Sequence, residues 1–121
     1  DFLLENMVWR PEMASAVIRK AAVYCLSSVI ERKLVARSTL VASFSHILPV
    51  LFTDLEDGDF LTRKYSCLTL EHLLGELKGF VTGDDINRIY PELMKRLNDS
   101  SDEVRVSACK SLVQFFNASS G

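Results

Sequence analysis

A short phrase recurs three times along the chain: a β-branched residue, an Arg, two variable residues and a small residue. The three copies occupy residues 18–22 (IRKAA), 62–66 (TRKYS) and 104–108 (VRVSA). Their arginines lie 44 and 42 residues apart. A period of about 40 to 47 residues is typical of arrays whose repeating unit is a pair of helices. The sequence therefore predicts a helical-repeat array, and an array of this kind works through the surface that it presents to a partner.

The second and third units keep the same register over seven positions, each 42 residues apart. The matched pairs are Pro49 and Pro91, Leu51 and Leu93, Leu55 and Leu97, Asp57 and Asp99, Arg63 and Arg105, Ser66 and Ala108, and Leu70 and Leu112. A Pro in the first helix, an Asp in the turn and a β-branched residue plus Arg in the second helix resemble the HEAT repeat. The resemblance covers nearly the whole chain.

Apolar residues at helical spacing predict the tail of a helix over residues 2–9, a helix from Pro11 to Arg32, and four more helices. The four are expected over residues 38–55, 60–77, 85–97 and 102–116. No segment shows the alternation typical of a strand. We therefore expect an all-α fold, a right-handed α-solenoid of about three helix pairs. Its repeats should cover approximately residues 1–32, 38–77 and 85–116, as a single fragment of a longer array.

Composition narrows the classes of function. The chain has 121 residues, of which 48% are hydrophobic and 25% charged, an ordinary globular balance. Its formal net charge of -2 argues against a nucleic-acid groove, which needs a concentrated positive field. No apolar stretch is long enough to span a membrane. Neither nucleic acid nor a membrane is expected as a partner.

The three cysteines, Cys25, Cys67 and Cys109, are odd in number, form no CxxC motif and lie within apolar helical patterns. This arrangement argues against a disulfide framework or a zinc site. The sequence predicts three buried thiols in a reducing compartment.

No set of residues in the sequence indicates a catalytic site or a cofactor-binding site. His46 and His72 are far apart and have no carboxylate at metal-ligand spacing. The acidic turn after Asp54 departs from a calcium loop, because Gly58 comes one place early and position twelve is Tyr65. No nucleophile–base set and no phosphate loop is visible. We expect a non-enzymatic protein with no metal and no cofactor.

The resemblance to HEAT repeats implies a ladder in which the Asp of one repeat pairs with the Arg of the next. The candidate ladder residues are Asp57, Arg63, Asp99, Arg105 and Arg19. Asp57 and Asp99 are also placed to cap the second helix of their repeats. This interpretation makes the five residues structural contacts between repeats, which accounts for them better than a binding site does.

Two residues are candidate partner contacts. Trp9, the only Trp, either closes the end of the core or anchors a partner. Of the adjacent Phe115 and Phe116, one should belong to the core, and the other, which we take to be Phe116, should lie on an apolar end face covered by a neighbouring repeat.

Several runs resemble the C-terminal region of the HEAT-repeat axonemal dynein assembly factors. They are residues 8–10 (VWR), 16–26 (AVIRKAAVYCL), 62–67 (TRKYSC), 89–99 (IYPELMKRLND) and 102–105 (DEVR), and residues 90–97 are the most specific. The resemblance implies a cytoplasmic, non-catalytic docking surface that acts in preassembly of dynein arms for motile cilia. Its partners would be dynein chains, chaperones or co-chaperones.

Two alternatives stay open at this stage. The first is a generic HEAT-repeat adaptor, such as a nuclear transport receptor, a phosphatase scaffold or a chromosome-associated subunit. The second is a HEAT-like DNA glycosylase, which needs a basic concave groove with aromatic residues and a catalytic carboxylate. The slightly acidic charge balance speaks against the glycosylase.

Overall fold

The chain folds into helices only, as the sequence predicts. The computed structural model describes the backbone of residues 13–119 and the side chains of residues 19–118. Five helices lie in this part of the chain, and it contains no strand. They are α1 (Met13–Glu31), α2 (Arg37–Asp54), α3 (Phe60–Glu76), α4 (Gly83–Arg96) and α5 (Asp102–Ser119). The expected all-α class is confirmed, whereas the helix expected over residues 2–9 lies outside the described residues.

Local sequence signals explain where the helices begin and end. The hydroxyl of Thr82 accepts a hydrogen bond from the Asp85 N–H at 3.2 Å, and the Asp85 carboxylate accepts one from the Thr82 N–H at 3.0 Å. This reciprocal capping box starts α4 two residues earlier than predicted. At the other end of the chain, α5 continues to Ser119, beyond the predicted end at Phe116. Residues 117–119 are therefore helical as well.

The helices form two rows. One row contains α1, α3 and α5, and adjacent members of this row make the most extensive contacts in the molecule. The other row contains α2 and α4, which pack behind α3 and α5 respectively. This is the packing of an α-solenoid, in which each helix pair contacts only its neighbours. None of the described helices is long and apolar enough to cross a membrane.

The core lies between the two rows and is made almost entirely of aliphatic side chains. The largest fully buried ones are Ile30, Leu48, Leu51, Leu55, Leu70, Leu73, Leu74, Leu77, Ile89, Leu93 and Val23. Small residues occupy the slot three places after each repeat arginine, and Ala22, Ser66 and Ala108 are all buried there. A small side chain at this position lets neighbouring helices in the row of α1, α3 and α5 approach closely.

The prediction of three buried thiols is wrong for two of them. Cys67 is buried, but Cys25 and Cys109 are exposed. Cys67 and Cys109 occupy the same slot, four residues after Arg63 and Arg105. In α3 this slot faces α5, whose Ser111 hydroxyl donates a hydrogen bond to the Cys67 carbonyl oxygen. In α5 no described helix lies on that side, so the equivalent thiol is left in solvent.

Replacing Ala108 by Leu should lower the free energy of unfolding by about 1–3 kcal/mol, because the added atoms have no room in the buried small-residue slot. The matched control is Ala21→Leu, since Ala21 is an exposed Ala on α1. Urea denaturation of both variants checks the prediction. Equal stability of the two variants would show that the slot does not require a small residue.

Candidate functional site

Two arginine–aspartate bonds join successive helix pairs. Arg19 on α1 places its Nε 3.0 Å and its Nη2 2.9 Å from Asp57 Oδ2, in the turn between α2 and α3. Arg63 on α3 binds Asp99, in the turn between α4 and α5, through Nε–Oδ2 at 2.8 Å and Nη2–Oδ1 at 2.9 Å. The second bond is bidentate, a geometry that fixes orientation as well as distance.

The same guanidinium also holds the turn of its own repeat. Arg63 Nη1 donates to the Asp57 carbonyl oxygen at 2.8 Å and to the Gly58 carbonyl oxygen at 3.2 Å. One side chain therefore connects two successive turns, and its position one helical turn into α3 makes both reachable. Only 11% of the Arg63 side chain and 2% of the Asp99 side chain are exposed. The charges are buried, but they are paired and hydrogen-bonded.

Arg105 repeats only half of this arrangement. Its Nη1 donates to the Asp99 carbonyl oxygen, which corresponds to the own-turn bond of Arg63. Its Nη2 pairs with Asp102 on its own helix, and 40% of the Arg105 side chain is exposed. Within the described part of the chain, Arg105 therefore forms no ion pair with another helix pair.

Two expectations about these residues need correction. The Asp was expected to pair with the Arg of the following repeat, but each Asp binds the Arg of the preceding repeat. The second correction concerns capping. Asp57 and Asp99 accept hydrogen bonds from the N–H groups of the residues two places on, at 2.9 and 3.0 Å, and so shape the turn. The caps are those later residues, Asp59 for α3 and Ser101 for α5, whose side chains accept from Leu61 N and Val104 N.

Asp99 is held in its ionised form. Burial alone would raise its pKa, but hydrogen bonds from Arg63 and from the Ser101 N–H, together with the charges of Arg63 and Arg96, lower the pKa below its usual value. In return, the hydrogen bond to Asp99 is the main cause that raises the pKa of Arg63. The pair stays charged throughout the physiological pH range, as a permanent contact between repeats requires.

Lysines form a second line of cross-repeat ion pairs beside the arginines. Lys20 Nζ lies 3.4 Å from Asp59 Oδ2, and Lys64 Nζ lies 2.8 Å from Glu103 Oε1. Both lysines follow a repeat arginine directly, and both acids lie at the start of the next second helix. These pairs are more exposed than the arginine pairs, so each contributes little stability by itself.

The row of α1, α3 and α5 carries a groove of about 350 Å³. Residues of α1, α3 and α5 line it, including Tyr24, Tyr65, Leu68, His72 and Lys110. The rings of Tyr24 and Tyr65 meet edge to face with centroids 4.9 Å apart. We call this surface the tyrosine groove. It combines aromatic rings with charged rims, a mixture that suits protein contacts.

Of the two candidate partner contacts, the structure describes Phe116 but not Trp9. Phe115 is buried and Phe116 is exposed, in agreement with the expected division of this pair. The Phe116 ring lies against Phe115, with centroids 5.6 Å apart. Trp9 lies outside the described residues. Whether either residue contacts a partner remains a prediction.

Comparison with known proteins identifies the repeat. The sequence pattern of the HEAT repeat family matches residues 89–118. The chain is 34% identical over 116 residues to dynein axonemal assembly factor 5 of Xenopus laevis, and the match covers 96% of the chain. The human protein of the same name is 32% identical over 121 residues, and the mouse protein 30% identical over 113 residues.

The chain therefore contains a HEAT repeat, and nearly all of it is similar to a segment of dynein axonemal assembly factor 5. It spans only 14% of the length of the Xenopus and human relatives and 13% of the mouse relative. No solved structure matches the chain.

One functional side chain of the HEAT array was missed by sequence reasoning. Arg96, on α4, donates to the Leu55 carbonyl oxygen at 2.8 Å and pairs with Glu56 at 3.2 Å, both in the preceding repeat. It also lies 3.1 Å from Asp99 Oδ2, so Asp99 receives two arginines. The available signal was the basic last turn of α4, where Lys95 and Arg96 favour the negative end of the helix dipole.

Asp54 is a second residue that the sequence did not single out. It is buried at the end of α2, and neither carboxylate oxygen has a hydrogen-bond partner among the described residues. Burial, together with the nearby charge of Asp57, raises its pKa from 3.8 to about 8, and the charge of Arg19 offsets this only in part. The folded chain therefore holds a proton near neutral pH that the unfolded chain releases, and this linkage lowers stability as the pH rises from about 4 to 8.

Replacing Arg63 by Ala should lower the free energy of unfolding by about 1–3 kcal/mol, because one of the two arginines that hold the buried carboxylate of Asp99 is lost. Arg105→Ala is the matched control. Arg105 is the equivalent arginine one repeat later, but it binds no carboxylate of another described repeat. Urea denaturation measures both. If Arg105→Ala costs as much as Arg63→Ala, the bond across the repeats contributes nothing.

Replacing Asp54 by Asn should raise the free energy of unfolding at pH 8 by about 1–3 kcal/mol, because the folded chain no longer carries an unpaired buried acid. The gain should shrink as the pH falls and disappear below about pH 3, where Asp54 is protonated in both the folded and the unfolded chain. Denaturation curves across this pH range test it, with the exposed Asp84→Asn as control. A gain that does not change with pH would contradict the assigned ionisation.

Proposed function

We propose that this chain is part of a non-catalytic, protein-binding scaffold that acts in the cytoplasmic preassembly of axonemal dynein arms. The observation that carries the proposal is the match to three dynein axonemal assembly factors over 93% to 100% of the chain. The HEAT repeat supports the scaffold role, because such arrays present extended surfaces to protein partners.

The pairing of the charged side chains with one another supports a non-catalytic role. Arg19, Asp57, Arg63 and Asp99 bind one another across successive repeats. Their hydrogen-bonding capacity is used between repeats rather than directed towards a cavity. A general acid or base needs a group that can reach a substrate, and none of these four is placed to do so.

The tyrosine groove is the surface that we propose to contact the partner. Tyr24 is 52% exposed and is supported from below by Tyr65, so its ring presents apolar area at little cost in side-chain entropy. The groove runs across α1 and α3 to α5, and a partner bound there would contact successive repeats at once. Dynein chains, chaperones or co-chaperones are the proposed partners.

The proposal predicts that the immobilised chain recovers axonemal dynein heavy chains or chaperone partners from the cytosol of ciliated cells. Tyr24→Ala should reduce the recovery by about tenfold or more, because an exposed aromatic anchor is lost. Val41→Ala is the matched control, since Val41 is an exposed apolar residue on α2, in the other row. Mass spectrometry of the bound fraction measures the recovery by the unchanged chain, by Tyr24→Ala and by Val41→Ala.

Two results would contradict the proposal. Recovery of importin cargo or phosphatase subunits in place of dynein chains would assign the chain to the generic HEAT adaptors. Retention on heparin at physiological salt would favour a nucleic-acid function. Loss of binding by Val41→Ala, with Tyr24→Ala unchanged, would keep the function but move the contact to the row of α2 and α4.

A further inference from the structure

The two connectors that follow α1 and α3 lie side by side and form one surface. Arg37, at the start of α2, donates from Nη2 to the Lys78 carbonyl oxygen at 3.0 Å, and its guanidinium lies 5.0 Å from the centre of the Phe80 ring. Lys33 in the first connector reaches Glu76 at the end of α3, with 3.8 Å between Nζ and Oε1. We define the connector patch by six exposed residues: Arg32, Lys33, Leu34, Arg37, Lys78 and Phe80.

The connector patch is basic, although the chain as a whole is not. Residues 31–37 and 76–82 contain four basic and two acidic residues, whereas the net charge of the chain is -2. Of the two acids, Glu76 is the one already paired with a patch lysine, and Glu31 lies 4.0 Å from His72 Nε2. The other three cations of the patch form no ion pair with a described carboxylate. The patch therefore has positive charge available to a partner.

Two apolar side chains are exposed within this basic surface. Leu34 is 69% exposed and Phe80 is 53% exposed. The carbonyl end of a helix attracts cations, which accounts for basic residues after α1 and α3. That attraction does not account for a leucine and a phenylalanine in solvent. Apolar and aromatic side chains beside arginines are instead typical of the surfaces through which proteins bind one another.

The backbone at Lys33 has a conformation that favours glycine. Lys33 has a φ of 56°, and the N–H groups of Lys33 and Leu34 donate to the Ile30 and Val29 carbonyl oxygens at 3.0 and 2.9 Å. This is the Schellman ending of a helix, whose left-handed position is usually a Gly. The other connector has Gly79 as its left-handed residue, with a φ of 93°. The turn after α1 therefore does not need a lysine, and a role for its charge accounts for it better.

We propose that the connector patch binds an acidic segment of a protein partner that also carries apolar side chains. The carboxylates of the segment pair with Arg32, Lys33 and Lys78, and its apolar side chains pack against Leu34 and Phe80. The patch adjoins the tyrosine groove, which Arg32 also lines. The proposal does not rest on a role in dynein assembly.

A protein segment fits this surface better than an anionic membrane does. The patch exposes only two apolar side chains, and the net charge of -2 on the whole chain opposes approach to an extended anionic surface. A short acidic segment meets only the local positive charge. The bond from Arg37 to the Lys78 carbonyl oxygen also joins the two connectors, so the site is largely formed before binding.

Fluorescence anisotropy with labelled peptides tests the proposal. The acidic probe is the hexapeptide EEFEEL, the neutral probe is QQFQQL, and the polar probe EESEES keeps the charges without the apolar residues. The neutral probe should bind at least about tenfold more weakly than the acidic probe, and the polar probe about threefold more weakly. An ionic strength of about 1 M should also weaken binding of the acidic probe, because the Debye length falls to about 3 Å.

Lys33→Gly separates binding from folding. Because Gly suits the left-handed backbone, this variant should melt at the same temperature or higher, yet it should bind the acidic probe about fivefold more weakly or worse. Arg88→Gln is the matched control, since Arg88 of α4 is an exposed cation 5.6 Å from the Phe52 ring, and it should bind as the unchanged chain does. Leu34→Ser should weaken binding of EEFEEL but not of EESEES.

Four results would overturn the proposal. The first is an acidic probe that does not bind, or that binds no better than the neutral probe. The second is equal weakening by Lys33→Gly and Arg88→Gln, which would assign the attraction to overall charge. The third is loss of binding with Tyr24→Ala but not with Lys33→Gly, which would place the segment in the tyrosine groove. The fourth is binding to phosphatidylserine vesicles without binding of the acidic probe, which would make the patch a membrane contact.

Discussion

The buried bond between an arginine of one helix pair and an aspartate of the next is the interaction on which this structure depends. The hydrophobic effect brings the rows together but has no direction, so an apolar core tolerates sliding of one pair against another. A guanidinium has five donors in a rigid plane. In Arg63 those donors meet two oxygens of Asp99 and two carbonyl oxygens of its own turn. Because a buried charge without partners is costly, any shift of one repeat against the next breaks several bonds at once.

The helices and the positions of the repeat arginines could be predicted because both depend on local spacing in the sequence. Helical periodicity and a 42-residue register are properties of neighbouring residues and need no knowledge of contacts. The partner of each arginine could not be predicted in this way. A register tells which positions are equivalent, but it does not tell whether an arginine reaches forward or back. The capping residues were missed for a related reason, since Asp57 and Asp59 lie in the same turn and only the backbone geometry separates them.

Equivalence of position also hides differences of environment. Asp54 and Arg96 occupy the same place in successive repeats, 42 residues apart, and carry opposite charges. Arg96 finds acceptors in the preceding turn, whereas the Asp54 side chain has no hydrogen-bond partner in the described part of the chain and keeps its proton. Cys67 and Cys109 show the same effect for burial. In an array, the neighbouring repeat decides the state of a residue as much as its own sequence does, which is why the thiols were assigned wrongly.

The unequal packing of the two rows gives the molecule a preferred direction of deformation. Adjacent helices of the row of α1, α3 and α5 make extensive contacts, and Arg19 and Arg63 add ion pairs from this row to the next helix pair, whereas α2 and α4 make few direct contacts with each other. A force that spreads α2 from α4 must break the bonds of Arg96 to Leu55 and Glu56, while one that separates α1 from α3 must break both extensive apolar packing and ion pairs. The segment is therefore expected to bend more easily by opening between α2 and α4 than by opening between α1 and α3. Opening between α2 and α4 would change the curvature of the segment while the ion pairs keep the register of its repeats.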